Sequence, residues 1–200
     1  MSQRPYPRTV DNGAGERLTF LRRVAGVRGE RLEAENVVTP GHGPPMHAHL
    51  LQEEVLTVRE GRMGYQRPGE AARFAGPGET IVFAPGEPHR FWNAGDGELR
   101  AWGYVEPADN AEFFLGELFA LVREGRGRPN LLDVAFLLRR YRGEFAMYEI
   151  PAPVQRFLFP LLVTIGHLIG RYRKYADAPV PIRRTSADME RAKAALGVGS

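Results

Sequence analysis

Gly41-His42-Gly43-Pro44-Pro45-Met46-His47-Ala48-His49-Leu50-Leu51-Gln52-Glu53-Glu54, running on to Gly61, is the stretch that decides the fold. Two histidines stand one residue apart in it. On an extended segment, side chains at alternate positions point to the same face, so His47 and His49 can reach one metal ion together. A carboxylate on the next strand and a histidine from farther along would complete a site of this kind, and Glu54 and His89 fit those places. His89 belongs to a second informative stretch, Gly78-Glu79-Thr80-Ile81-Val82-Phe83-Ala84-Pro85-Gly86-Glu87-Pro88-His89-Arg90-Phe91-Trp92-Asn93.

Around these two stretches the chain reads as short β-branched and aromatic runs punctuated by Gly and Pro. The runs are Arg17 to Val24, Arg31 to Val38, Glu54 to Val58, Arg62 to Gln66, Ala72 to Phe74, Thr80 to Phe83, His89 to Trp92 and Leu99 to Val105. Roughly eight strands about ten residues apart predict an all-β sandwich or barrel. Arg67-Pro68-Gly69-Glu70 and Asn93-Ala94-Gly95-Asp96-Gly97 carry hairpin-turn chemistry. After Pro107 the period becomes helical. Asp109 with Glu112 three residues on reads as a capping box ahead of Phe113, Phe114, Leu118, Leu121 and Val122. A second helix is expected from Asn130 to Arg142, a third over about Val154 to Tyr175, and a short polar fourth over Ser186 to Leu196. The layout is an N-terminal arm (1–16), a β-barrel (17–107) and a helical extension (108–200).

The chain has 200 residues and no cysteine. That excludes a disulfide scaffold, a cysteine nucleophile, an iron–sulfur cluster and any thiolate metal site, so a bound metal must use His and carboxylate. The formal charge of +3 is unevenly spread. Lys+Arg against Asp+Glu run 7 to 5 over residues 1–40, 6 to 10 over 41–110 and 14 to 9 over 111–200, an acidic middle and a basic end. Met1 to Val10 lacks the apolar core of a signal peptide, which makes a cytoplasmic protein the expectation.

The two stretches resemble the paired motifs of the cupin superfamily. In the first family motif, G-x5-H-x-H-x3-4-E-x6-G, every spacing is met by Gly41, His47, His49, Glu54 and Gly61, and Glu54 rather than Glu53 leaves six residues before the glycine. In the second, G-x5-P-x-G-x2-H-x3-N, the matches are Gly78, Gly86, His89 and Asn93, with Ala84 where proline is usual and Pro85 directly after it. The resemblance covers about Arg17 to Glu106. It implies a double-stranded β-helix, the small jelly-roll barrel of cupins, with a metal held inside by His47, His49, Glu54 and His89.

Three neutral imidazoles and a carboxylate would leave a divalent ion with a net charge of about +1, which favours an anionic oxygen ligand. Ligand type does not choose among iron, manganese, nickel, cobalt, copper and zinc. Members of the superfamily with this pattern imply a small-molecule oxidoreductase of the metal-dependent dioxygenase type, acting on an anionic or enolisable ligand. The rival readings are a metal-dependent isomerase or decarboxylase and a sensory cupin that binds a ligand without turnover. Phe91 shares strand parity with His89 and is a candidate pocket residue. Trp102 and Tyr104 share one face of the last strand; turned inward they line an aromatic pocket, turned outward they pack helices or a second subunit. Asn93 is expected to hold a turn and His42 to lie at the surface.

Phe157 to Gly170 is the most apolar segment. At fourteen residues it falls short of the roughly 20 that span a bilayer, so a buried helix, covered by other helices, the barrel or a partner subunit, is preferred. Membrane contact through residues 154–174, with Arg156, Arg171, Arg173 and Lys174 flanking, is the less favoured alternative. His167 is read as a core or interface residue rather than a ligand. Arginines 139, 140, 142, 171 and 173 are assigned to helix C-terminal ends, and no nucleic-acid partner is expected. A homo-oligomer is expected.

Overall fold

In the computed structural model, which describes residues 5–183, ten strands precede the first helix. They are β1 (Arg8–Asp11), β2 (Glu16–Ala25), β3 (Glu30–Val38), β4 (His47–His49), β5 (Glu53–Glu60), β6 (Met63–Gln66), β7 (Arg73–Ala75), β8 (Thr80–Phe83), β9 (Arg90–Asn93) and β10 (Leu99–Glu106). The helices are α1 (Ala111–Glu124), α2 (Leu131–Arg140) and α3 (Phe159–Leu168). A short strand β11 (Phe145–Met147) follows α2, a π-helical turn (Val154–Leu158) leads into α3, and a 3₁₀ turn (Arg171–Tyr175) follows it. This is a β-sandwich with a helical extension.

One sheet runs β1-β2-β3-β10-β5-β8, all antiparallel. Facing it, β7-β6-β9 pair, and a bridge between His47 and His89 joins β9 to β4, which pairs with β11. Alternation sets the inner face. On β10 Leu99, Ala101, Gly103 and Val105 are buried while Arg100, Trp102 and Tyr104 are half-exposed. One core cluster joins the two sheets and includes Val58, Met63, Phe83, Phe91 and Leu99. A second is continuous from barrel to extension, because Leu18, Phe20, Leu32 and Val105 pack with Phe114, Phe136, Leu137, Tyr141 and Phe145. Gly61 turns the β5–β6 hairpin at φ +83°, where a Cβ would lie 2.6 Å from the Glu98 carbonyl oxygen, so only glycine fits.

The chain departs from the sequence reading at several places. Arg8–Asp11, within the expected arm, is the edge strand of the large sheet. The capping box does not form. Asn110 occupies the N-cap of α1 without a side-chain cap bond, and Asp109 has φ +37°. Glu112 instead accepts hydrogen bonds from Tyr6 (2.6 Å), Arg8 (3.1 Å) and Arg23 (3.3 Å), which ties α1 to the first two strands. Asn130 does cap α2, its side chain accepting from the Leu132 N–H at 3.0 Å.

The apolar third helix is covered on one side only. It packs on α2, while Phe157, Leu161, Leu168 and Ile169 are 56 to 81% exposed, contrary to a helix buried all round. His167 is exposed too, with its ring edge against Tyr172. Arg139 and Arg140 sit in the last turn of α2 as expected, but Arg171 reaches back with Lys174 to Asp133 in the first turn of that helix, at 2.8 and 3.0 Å. Among the described residues no helix is long and apolar enough to cross a membrane. The helix expected at Ser186 to Leu196 lies outside them.

Candidate metal centre

His47 and His49 enter on β4, which is extended because both edges are paired. The backbones of His47 and His89 exchange hydrogen bonds at 2.9 and 2.8 Å, and β11 pairs Phe145 with His49 and Met147 with His47. Glu54 is the second residue of β5. Alternation turns it inward and turns Glu53 outward, where Arg28 meets it at 2.8 Å. His89 ends the β8–β9 turn. That turn survives the replacement of proline by Ala84, since the Glu87 N–H donates to the Ala84 carbonyl and the Gly86 N–H to the His49 carbonyl at 2.7 Å.

The result brings all four side chains together. One ligand atom from each of His47, His49, Glu54 and His89 lies within 4.8 Å of the others, an arrangement able to hold a metal ion. Ring centroids are 4.4 Å apart for His47 and His89 and 5.3 Å for His47 and His49. Phe83 stacks flat on His89 at 3.8 Å and Phe145 stands edge-on to His49 at 5.4 Å, so aromatic neighbours fix both rings.

Hydrogen bonds select the ring tautomers. His47 Nδ1 lies 2.8 Å from the Pro45 carbonyl and His89 Nδ1 2.9 Å from the Glu87 carbonyl. A carbonyl only accepts, so each Nδ1 carries the proton and each Nε2 lone pair is free to bind a cation. His89 Nε2 lies 2.7 Å from Glu54 Oε2, within hydrogen-bond distance. A proton or a metal ion held between these two atoms satisfies both. The donor set therefore fits a divalent metal. His49 Nδ1 is buried without a partner among the described residues, and its Nε2 is 3.8 Å from the same carboxylate oxygen.

The electrostatics point the same way. Burial is the main cause that holds His47 down at about 3, with His89 and His49 adding to it, and burial also lowers His49. Burial pushes the Glu54 carboxyl up, but attraction to the imidazoles when they carry a proton, His49 foremost, together with the His89 hydrogen bond, outweighs it and holds the group at about 2. Near neutral pH, His47 and His49 are thus neutral and the carboxylate is charged, the state that binds metal.

The cluster opens into a cavity of about 310 Å³ whose wall is almost wholly apolar. Phe91 lines it. Trp102 does not; it is on the outer face, where its neighbours are Glu35, Thr57 and the Arg59 guanidinium. Tyr104 contributes to the wall, yet its ring lies under Arg31 at 3.8 Å and its hydroxyl donates to Glu53 on the outer side. Asn93 is structural, donating to the Val38 and Gly97 carbonyls at 2.7 Å each and accepting from the Gly95 N–H. His42 is exposed.

Sequence reasoning missed the contribution of the extension, whose Phe114, Leu118, Phe145, Met147 and Ile150 form much of the wall. It also missed Glu16 and Asn36, polar residues on that wall. The signal for Glu16 was present, since it shares strand parity with Leu18 and Phe20.

Residues 35–104 match the family model described as Cupin domain, and this part of the chain is a cupin domain. Over 152 residues the chain is 26% identical to the "Probable oxidoreductase virH" of Hypocrea virens, covering 68% of this chain and 67% of that one. Among solved structures, the polyketide cyclase RemF from Streptomyces resistomycificus is 25% identical, covers 52% of this chain and 79% of its own, and has a TM-score of 0.41. A Cupin 2 conserved barrel domain protein from Salinispora arenicola CNS-205 is 23% identical, with coverage of 60% and 96% and a TM-score of 0.42.

Proposed function

We propose that His47, His49, Glu54 and His89 hold a divalent transition metal and that the protein is a small-molecule oxidoreductase of the dioxygenase type. The observation that carries this reading is a cluster of three imidazoles and one carboxylate at the wall of an apolar cavity. A metal bound there supplies Lewis acidity to an anionic oxygen and, if redox-active, a meeting point for substrate and dioxygen. The chain's own residues do the rest. The Pro45 and Glu87 carbonyls hold two imidazoles in the ligating tautomer. Phe91 and the extension exclude water and select a mainly apolar, enolisable molecule. The relation to the Hypocrea virens protein supports an oxidative reaction over the isomerase, decarboxylase and sensory readings. The expected homo-oligomer remains part of the proposal, with the uncovered side of α3 as its apolar surface.

Metal analysis after purification and after soaking should find about one ion per chain, lost when the ligands are replaced. The iron, nickel or manganese form should then consume oxygen with a panel of enolisable phenolics. Absence of uptake with every metal would sink the dioxygenase reading. Product formed without oxygen would move it to Lewis-acid chemistry, and ligand recovered intact to sensing.

A further inference from the structure

The cavity has a second polar place. Glu16 and Asn36 sit on the neighbouring strands β2 and β3, at inward positions otherwise held by Leu18, Phe20, Ala34 and Val38. Both line the same cavity as the metal cluster, and both are more than nine-tenths buried. Asn36 Nδ2 donates to Glu16 Oε1 at 3.0 Å, while Asn36 Oδ1 is buried and has no partner among the described residues. Burial pushes the Glu16 carboxyl up against the pull of that amide bond, and the Glu54 carboxylate adds to the rise.

Such a pair is costly for a wall that needs only packing. A buried polar group left short of a hydrogen bond destabilises the fold, and a leucine or valine would fit these positions without that cost. The open acceptor calls for a donor. Register gives its distance from the metal cluster, since Glu54 lies beside Val105 on β10 and Asn36 beside Ala101, four residues along. At the rise of a β-strand this is an offset of roughly 13 Å between backbones, which bounds the ligand at about the length of two fused or linked rings.

We propose that Glu16 and Asn36 form a subsite for a hydroxyl group, carried on an apolar ligand at the end remote from His47, His49, Glu54 and His89. The subsite rests on the reading that this cavity holds the ligand, and it adds the requirement that the ligand bear a hydrogen-bond donor at its far end. A site built this way disfavours the analogue without the hydroxyl, because its own polar atoms are then left unpaired.

The test uses the full chain loaded with zinc and three aromatic acids: benzoate, a naphthoate and a biphenyl carboxylate, each with and without a hydroxyl at the distal end. Calorimetric titration should show the hydroxyl strengthening binding about tenfold, or about 1.4 kcal/mol, for the naphthoate or the biphenyl acid. Asn36→Leu should abolish that preference while zinc content stays at the wild-type level. Binding of the parent acids with no hydroxyl preference in any pair, or a preference that survives Asn36→Leu, overturns the subsite alone. Failure of every parent acid to bind overturns the cavity reading and the subsite with it. Should Asn36→Leu fail to fold, the three wild-type pairs decide the matter by themselves.

Discussion

The barrel side and the helical side of the cavity wall are built from opposite materials. The barrel contributes nearly every polar group that faces the space, namely Glu16, Asn36, His47, His49 and Glu54, whereas α1, α2 and β11 contribute Phe114, Leu118, Leu138, Phe145 and other apolar side chains. A metal cluster needs donors held at fixed angles. Strands paired on both edges provide that, as β4 shows between β9 and β11. Selection by shape needs bulk more than angular precision, and the helices that line the cavity supply it. The extension is therefore part of the binding apparatus, a role that its composition alone does not reveal.

If the two sides differ in this way, acid should attack the barrel side first, with the largest effect. His47, ordinarily near 6.5, is held neutral down to about 3 in the folded chain, and Glu54, ordinarily near 4.5, stays charged down to about 2. Between pH 6.5 and 3 the unfolded chain binds more protons at His47, and below 4.5 it does so at Glu54 as well. Stability contributed by these groups is thus present above the unfolded values and is lost as pH falls. Melting temperatures of the metal-free protein should drop steadily on acidification from pH 6.5. A flat profile over that window would show that His47 and Glu54 are not buried together as described.

The helical side should respond to volume instead. Phe145 stacks on Phe114 at 4.1 Å and meets His49 edge-on, so Phe145→Ala should cost about 3 to 5 kcal/mol in urea denaturation. The same replacement removes no ligand, and metal should still bind. Equal losses of stability and metal binding would erase the distinction between the two sides.

How much of this was legible in the sequence follows the same division. The eight barrel strands and the four clustered side chains were readable because alternation and fixed spacing are local signals. Glu54 was separable from Glu53 by spacing, and the structure shows the physical counterpart in strand parity, with Glu53 paired to Arg28 outside. β11 was not legible. Its three residues are too few for periodicity, and it is a strand only because β4 offers an unpaired edge. The capping box failed for a tertiary reason, since Tyr6, Arg8 and Arg23 compete for Glu112 from more than eighty residues away. The apolar run near α3 announced burial, but hydropathy does not say which neighbour is present to provide it.

Ligand replacement separates the two glutamates and the two sides more finely. His89→Ala removes one of four donors and should weaken metal binding by about 100-fold or more, read by competitive titration with a chelating dye. Glu53→Gln, one residue from Glu54, should leave metal affinity unchanged because its side chain points to Arg28. A large loss from Glu53→Gln would mean that β5 is shifted by one residue.

The smallest effect lies farthest from the cluster. Asn130 is exposed and caps α2 through one hydrogen bond to the Leu132 N–H, and α2 presents Ala135, Phe136, Leu137 and Leu138 to the core of the extension. Asn130→Ala should lower stability by about 1 kcal/mol in urea denaturation, the usual cost of an unsatisfied N-terminal donor. Metal affinity should not change, since no donor to the cluster comes from α2. A cap substitution that did weaken metal binding would show that order in the helices is transmitted through β11 to β4, and the two sides of the cavity would then act as one.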